Sequence, residues 1–388
     1  MKIIHIIPKL NTGGSQWMLF KVLVAGQADD RFEQSVLCLG QEDTIGHLLQ
    51  KKGITVHYLR MSRPTPALLW KFIRFFRHNR ADVVVSWLFV SDFLSLITRP
   101  FTGIPQLISN LRSSAPNRQT LGMQDLILLH MNRFLSARLD GMLHNAQEGR
   151  RQLTARGFVP GWWHYIPNGF ELDRLSPDPD ANRALKLRLN LSAEQSIFGC
   201  FARYHPSKDY PVLLQAFAQL VKKQPSAHLL LVGRDIDDPH LAKRIEEWGV
   251  QEKVTTLGEV TDVAQWMSGL DVAVLASCKG EGFPNFLGEA MCCGVPCVAT
   301  DSGDSAHVVG QTGIIVPTKD VDALSAAMEQ MMTLSHSERS RLGQAARERM
   351  EQHFDIHHIA EAYHRVYLAL KNHQHPDDVP FDSKQDSC

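Results

Sequence analysis

The sequence feature that most constrains the fold is a regular alternation of short apolar runs with amphipathic stretches. In the first half, runs rich in Ile, Val and Leu lie near residues 2–7, 34–39, 54–59, 82–87, 105–109 and 140–144. The rhythm is then interrupted and starts again, with runs near residues 196–202, 227–233, 253–257, 271–276, 296–299 and 313–316. Apolar runs of strand length separated by helical patterns are typical of parallel sheets covered by helices on both faces. The sequence therefore predicts an α/β protein with two doubly wound parallel-sheet domains.

The interruption between the two sets of runs marks a domain boundary. Pro and Gly residues break the periodicity over residues 167–195, and we place the boundary near residue 172. The expected N-terminal domain covers 1–172 and the C-terminal domain covers 173–354. Helical patterns follow the last strand, and the polar residues 374–388 are expected to form a frayed tail. A chain of 388 residues is long enough for two cores of ordinary size.

Charge is distributed unevenly along a chain that is neutral as a whole, with 41 basic and 41 acidic side chains. Residues 1–175 hold 21 basic and 12 acidic side chains, which leaves 20 and 29 for the rest, so the halves carry +9 and −9. The overall balance gives no indication of a nucleic-acid-binding protein. The basic half is expected to meet an anionic partner.

A helical pattern over residues 68–80 combines aromatic residues with cations. One stripe has the spacing of a face buried on the sheet, and it consists of Leu68, Phe72, Phe75 and Phe76. The residues outside that stripe favour contact with anionic lipid, and they are Trp70, Lys71, Arg74 and Arg77. A buried crossover helix explains the stripe alone. Both interpretations stay open from the sequence.

The sequence predicts peripheral rather than integral contact with a membrane. No stretch has the roughly 18 uncharged apolar residues that a spanning helix needs. The apolar run at the N-terminus is too short for a signal peptide and leads directly into Pro8. We therefore expect a cytoplasmic protein on the inner face of the cytoplasmic membrane.

The most informative motif follows the apolar run at 271–276. It begins at Glu281 and ends at Glu289. Pro284 suits the first turn of a helix, so we expect a helix that begins at 283–285 and leaves backbone N–H groups unpaired at its start. Both carboxylates can then flank a ligand at the carboxyl ends of the strands. Stabilisation of the helix dipole by acidic residues is the simpler alternative.

Two further loops have the composition of anion-binding segments. Arg203 and Lys208 lie five residues apart after the run at 196–202, and they can converge on a diphosphate. Gly13 and Gly14 follow the first strand and allow close approach of a ligand to the backbone. A solvated basic loop and a tight strand-to-helix turn explain these two segments without a ligand.

Together these segments resemble the retaining glycosyltransferases of family 4. The resemblance covers nearly the whole chain and rests on Gly13-Gly14, Pro167-Asn168-Gly169, Arg203 with Lys208, Gly258, Glu281 with Glu289, and Gly294-Val295-Pro296. It implies the GT-B fold, in which two Rossmann-like domains face each other across a cleft. It also implies that the last helix, about 355–371, packs back on the N-terminal domain.

The resemblance implies a role for each motif. The C-terminal domain would bind a nucleoside-diphosphate sugar, UDP-linked in preference to GDP-linked. Arg203 and Lys208 would contact the diphosphate, Glu281 the donor sugar and Glu289 the ribose, so the expected catalytic residues are Arg203, Lys208 and Glu281. The expected donor-binding residues are Gly13, Gly14, Phe283, Asn285, Phe286 and Glu289. Members of the family often carry a His after the fifth strand, and this sequence offers Asn110 or Arg112 there as a contact to sugar or acceptor.

No metal ion or cofactor is expected. Asp-x-Asp pairs at 178–180, 235–237 and 320–322 lie in linker, loop or helix-start positions, which favours helix caps over metal ligands. The 7 cysteines lack the paired spacing of a closed zinc site and have apolar neighbours.

The function implied is transfer of a hexosyl or N-acetylhexosaminyl group, with retention, to a lipid-linked saccharide or polysaccharide precursor. An epimerase acting on nucleotide sugars and a non-catalytic nucleotide-sugar-binding subunit of a membrane complex are the alternatives.

Overall fold

The computed structural model describes residues 1–61, 65–112, 122–372 and 374–378. The chain forms two compact units. Unit 1 contains Met1–Gly169 and the residues from Ile356 onward, and unit 2 contains Phe170–Asp355. The expected tail lies outside the described residues from residue 379 onward.

Unit 1 is built on a seven-stranded parallel sheet. Its strands are β1 (Lys2–Ile7), β2 (Glu33–Cys38), β3 (Thr55–Tyr58), β4 (Val83–Trp87), β5 (Gln106–Leu111), β6 (Gly141–His144) and β7 (Trp163–Tyr165). The helices before the chain leaves the unit are α1 (Gly14–Ala25), α2 (Thr44–Lys51), α3 (Pro66–His78), α4 (Phe89–Thr102), α5 (Met123–Leu135) and α6 (Gln147–Ala155). The strand order is β3-β2-β1-β4-β5-β6-β7. The order therefore reverses between β1 and β4, as in doubly wound sheets.

Unit 2 repeats this plan with a six-stranded parallel sheet. Its strands are β8 (Ser196–Phe201), β9 (Ala227–Val232), β10 (Val254–Leu257), β11 (Val272–Leu275), β12 (Cys297–Thr300) and β13 (Ile314–Val316). Its helices are α7 (Ala181–Arg188), α8 (Tyr210–Lys223), α9 (Pro239–Glu247), α10 (Val263–Ser268), α11 (Asn285–Cys292), α12 (Ser305–Val309), α13 (Val321–Thr333) and α14 (His336–His353). The strand order is β10-β9-β8-β11-β12-β13. The prediction of two doubly wound parallel-sheet domains is confirmed.

Local sequence explains where several helices begin. Thr65 caps α3 by accepting a hydrogen bond from the backbone N of Leu68 at 3.3 Å, and Pro66 occupies the first turn, where it costs no hydrogen bond. At the start of α14, Ser335 and Glu338 form a reciprocal capping box. These caps satisfy N–H groups that a helix start leaves unpaired.

The chain returns to unit 1 in α15 (Ile356–Lys371). Tyr363, Val366 and Tyr367 are buried there in the same hydrophobic cluster as residues of β1 and α1. His364 lies 3.1 Å from an Asp29 carboxylate oxygen. This helix completes the core on one face of the unit 1 sheet.

One domain boundary and the character of one segment differ from those expected from sequence. The chain enters unit 2 at Phe170 rather than at 173, because the buried Phe170 ring packs against Phe283 and its backbone N donates to Phe354 O at 2.8 Å. The segment 167–195 is not a simple linker, since it contains α7. Leu185 of α7 is buried in the unit 2 core.

Candidate active site

Two loops of unit 2 meet because β8 and β11 are adjacent parallel strands. The carboxyl ends of parallel neighbours lie at one edge of the sheet, so the loops that follow them are brought together. The backbone N of Cys278, after β11, donates to Ser207 O, after β8, at 2.9 Å. This contact brings the Arg203–Lys208 loop against the motif that begins at Glu281.

At that edge Lys208 and Glu281 form an ion pair between the two motifs. Glu281 is only 8% exposed, and the Lys208 side chain is 21% exposed. The same carboxylate oxygen accepts a hydrogen bond from Ser277 Oγ at 2.6 Å. The ammonium group has three donors, so this pair leaves donors for another anion.

The backbone around Glu281 is held by the last residue of β12 and by the loop that follows this strand. Thr300 Oγ1 donates to Ser277 O at 2.6 Å, and Asp304 N donates to Gly282 O at 3.1 Å. Gly303 has a φ of +62°, and a Cβ there would clash with the carbonyl of Glu281. Glycine is therefore required at this close approach.

Positive charge concentrates around His205, which lies between Arg203 and Lys208 in the loop after β8. Burial lowers the pKa of His205, and the charges of Arg203, Lys208 and Lys279 lower it further. Arg203 is exposed and forms no ion pair with any residue that the structure describes. This cluster of cations suits a dianionic or polyanionic group.

The helix α11 begins at Asn285, within the range expected from Pro284. Asn285 is exposed at the first position, and Glu289 is partly exposed one turn later. The rings of Phe283 and Phe286 are buried, and Phe286 stacks on Phe201 with ring centroids 5.6 Å apart. Contact of these two residues with a donor stays a prediction, and the burial of their rings favours their backbone groups for it.

The unit 1 candidates lie at the ends of two strands. Gly13 caps α1 in an exposed turn after β1, and Gly14 begins the helix. Asn110 is buried and donates to Tyr363 Oη at 2.8 Å. Their contact with a donor stays a prediction.

Arg112 is buried and contacts neutral groups. It donates to Asn110 Oδ1 at 2.9 Å, to Ile166 O at 3.0 Å and to Asn168 Oδ1 at 3.0 Å. Burial lowers the pKa of Arg112 to about 9. Asn110 and Arg112 thus connect the end of β5 to neighbouring segments of unit 1, and contact with a substrate stays a prediction.

Sequence reasoning missed Ser277, Lys279 and Thr300. Ser277 orients the Glu281 carboxylate, Thr300 holds the backbone of Ser277, and Lys279 adds to the positive field. The signal available was a polar residue directly after an apolar strand, as in Ser277 after β11 and Thr300 at the end of β12.

Within the described part of the chain, no group of three or more His, Cys, Asp or Glu side chains has an arrangement that could hold a metal ion. The cysteines at 38, 200, 292, 293 and 297 are buried and form no disulfide with a described residue. Burial raises the pKa of the Cys297 thiol to about 12, which disfavours the thiolate that zinc requires.

Two family models match the chain. Residues 14–169 match the model described as glycosyl transferase 4-like domain, and residues 195–333 match the model described as glycosyl transferases group 1. These two ranges correspond to the bodies of unit 1 and unit 2.

Relatives in sequence include bacterial mannosyltransferases. The chain is 29% identical over 253 residues to the lipopolysaccharide core biosynthesis mannosyltransferase LpsB of Rhizobium meliloti, covering 62% of this chain and 68% of that protein. It is 30% identical over 178 residues to a GDP-mannose-dependent alpha-(1-6)-phosphatidylinositol monomannoside mannosyltransferase of Mycolicibacterium smegmatis, covering 43% of this chain and 46% of that protein. The match to the second protein thus spans less than half of its length.

A solved structure extends the similarity to nearly the whole fold. Anabaena Alr3699/HepE in complex with UDP has a TM-score of 0.82 at 20% identity, covering 95% of this chain and 100% of that chain.

Proposed function

The chain belongs to the group 1 glycosyl transferases and has the GT-B fold, and on that premise we propose that it moves a hexosyl or N-acetylhexosaminyl group from a nucleoside-diphosphate sugar to a lipid-linked saccharide or polysaccharide precursor. The observation that carries the proposal is the Lys208–Glu281 ion pair at the carboxyl edge of the unit 2 sheet, beside His205, on which the charge of Arg203 also acts. Relatives named for lipopolysaccharide core and phosphatidylinositol mannoside synthesis support an acceptor of this class.

The reaction separates charge in a way that this site suits. The bond between the sugar C1 and the diphosphate oxygen breaks, and a bond forms between C1 and the acceptor oxygen. The acceptor proton passes to the departing phosphate oxygen on the same face, so the configuration at C1 is retained. Arg203 and Lys208 stabilise the negative charge on the phosphate, and Glu281 stabilises the positive charge that develops at C1.

The base of the donor divides two versions of the proposal. We expect a UDP-sugar, while the relatives that depend on GDP-mannose make GDP-mannose the second candidate. A thermal-shift screen of UDP, GDP and their sugars separates them, because a ligand that binds only the folded chain raises the unfolding temperature. The expected result is a shift with UDP and UDP-sugars. A shift with GDP and GDP-mannose alone contradicts the UDP version and leaves the transferase proposal intact.

The same site supports transfer without a metal ion. Arg203, Lys208 and the positive end of the α11 helix dipole provide positive charge where the diphosphate would bind. Activity is therefore expected to survive EDTA. Loss of activity on chelation, with recovery on adding Mg²⁺ or Mn²⁺, contradicts this part of the proposal.

The proposal includes contact with an anionic membrane through α3, and the exposure of the outer face of this helix supports it. Trp70 is 59% exposed, and the Arg74 guanidinium lies 5.1 Å from the centroid of the Trp70 ring. Phe72 and Phe76 are buried beneath it. Among the described residues there is no helix both long and apolar enough to cross a membrane.

We propose that this contact holds the enzyme at the inner face of the cytoplasmic membrane, and co-sedimentation tests it. Binding to vesicles of phosphatidylglycerol and phosphatidylcholine should fall as salt rises and should weaken in Trp70→Ser. Equal binding to neutral vesicles, or no binding at low salt, contradicts it.

A further inference from the structure

Unit 1 contains a cavity that the proposed transfer reaction does not use. Its volume is about 540 Å³, within the range of roughly 300–1,000 Å³ of ligand pockets. It lies between α5 and the turn that follows α6. Leu126, Leu129 and Phe158 provide apolar walls, and Arg133, Arg156 and His130 provide polar groups.

The two arginines give the cavity a cationic lining. Arg156 Nη1 is buried and has no hydrogen-bond partner among the described residues. The Arg133 side chain lies over Gly157, where a Cβ would come within 3.1 Å of Nε. Gly157 ends α6 with a φ of +84°, so its lack of a side chain both permits the turn and leaves room for Arg133. Among the described residues, no acidic side chain lines the cavity.

An exposed apolar stripe borders the cavity. It follows one face of α5 and consists of Met123, Ile127, Met131 and Phe134, which are 74%, 56%, 41% and 71% exposed. Val159, directly after the turn, is 60% exposed. The helix that carries the stripe lies in the same helix layer as α3, because α4 packs against both helices. Large apolar side chains exposed at this spacing mark an interaction surface.

We propose that this cavity binds the phosphate group of an anionic membrane phospholipid. Arg133 and Arg156 donate hydrogen bonds to the phosphate oxygens, and the acyl chain lies against Leu126, Leu129 and Phe158. The α5 stripe enters the interfacial layer of the same membrane. Charge complementarity and the adjoining apolar walls favour a lipid over a free anion or an acidic protein. This inference rests on the membrane contact proposed above, but it does not depend on glycosyl transfer, because the site needs no nucleotide.

Calorimetric titration with dihexanoyl phosphatidic acid, kept below its micelle concentration, tests the proposal. We expect one lipid per chain, with no binding of inorganic phosphate or dihexanoyl phosphatidylcholine at the same concentration. Arg133→Gln with Arg156→Gln should weaken binding by about tenfold or more, since two charge-assisted hydrogen bonds are lost. The matched control is Arg150→Gln with Arg151→Gln, which removes the same charge from exposed positions of α6 outside the cavity. Its affinity should stay within about twofold of wild type.

Several outcomes overturn the proposal. Equal binding of inorganic phosphate identifies a free-anion site, and equal binding of phosphatidylcholine identifies an apolar pocket without charge selection. Equal weakening in the control pair shows a diffuse charge effect. If the double variant does not fold, Arg133→Gln alone carries the test, because Arg133 is exposed. A dimer in size-exclusion chromatography that Phe134→Ser dissociates shows that a second copy of the chain covers the stripe.

Discussion

Replacing Glu281 by Gln removes the negative charge that faces Lys208 while keeping the size of the side chain. Glu281 is 8% exposed and the Lys208 side chain 21%, so water replaces the lost partner only in part. The Gln oxygen still accepts the hydrogen bond from Ser277. What is lost is one charge-assisted hydrogen bond in a largely buried setting, and we expect the free energy of unfolding to fall by about 1.5–3 kcal/mol.

For a domain of the size of unit 2, this loss lowers the unfolding temperature by about 3–12 °C. Turnover should fall by about tenfold or more, because the carboxylate no longer stabilises positive charge at the sugar. Nucleoside-diphosphate affinity should not weaken by more than about twofold, because Arg203 and Lys208 remain in place. Calorimetry of unfolding, titration of the nucleotide and initial rates measure the three quantities.

The matched control is Glu259→Gln. Glu259 pairs with Arg234 in the same unit, but the two side chains are 65% and 57% exposed. A surface pair of this kind contributes little to stability. The reasoning is refuted if Glu281→Gln leaves the unfolding temperature as unchanged as the control, or if it weakens nucleotide binding as much as Glu289→Gln does.

Three further substitutions test other parts of the account. Arg203→Ala should lower turnover by roughly 10²–10³, as for a lost donor at a developing charge. The unfolding temperature of the protein should not fall, because Arg203 is exposed. Initial rates near those of wild type argue against contact of Arg203 with the diphosphate. Glu289→Gln should weaken nucleoside diphosphate and intact donor alike by about 1.5–3 kcal/mol in calorimetric titration, and a loss confined to turnover contradicts the ribose assignment. Burial raises the pKa of Asp92 to about 7, so the carboxyl group binds a proton in the folded chain that the unfolded chain has released above about pH 4. The stability that the neutral, buried carboxyl group provides is fully present below about pH 4 and is lost as the pH rises to about 7. In urea unfolding, the free energy of unfolding of Asp92→Asn should therefore rise by about 2–4 kcal/mol relative to that of wild type between about pH 4 and pH 8. If the difference in this free energy between the two proteins is the same at both pH values, the raised pKa is rejected.

The sheet strands could be predicted from sequence because each buried strand is a nearly unbroken apolar run. The strand β7 and the helix α7 could not be predicted in this way, for physical reasons. β7 has only three residues, Trp163–Tyr165, of which His164 alone is buried, so it has no apolar run. α7 is short and polar, and it is held by contacts that the sequence does not reveal, such as Asn182 Nδ2 donating to Gly269 O at 2.8 Å.

The residues of the candidate site could be named from sequence, but their contacts could not. Lys208 and Glu281 lie far apart in the chain and meet only because β8 and β11 pair. Asn110 and Arg112 follow the apolar run at 105–109 and have polar side chains, which favours an exposed loop, but Asn110 belongs to β5. They are buried by Tyr363, which lies on a helix at the other end of the chain.

The most direct test of the central claim is transfer of labelled sugar. Radiolabelled UDP- and GDP-sugars are incubated with the protein and a lipid extract of source cells that lack it, and label is counted in the lipid fraction. The account predicts that label from one nucleotide sugar enters that fraction with the wild type and falls by roughly 10²–10³ with Arg203→Ala. Binding of a nucleotide sugar without transfer from any of them would contradict the claim and identify a non-catalytic nucleotide-sugar-binding protein.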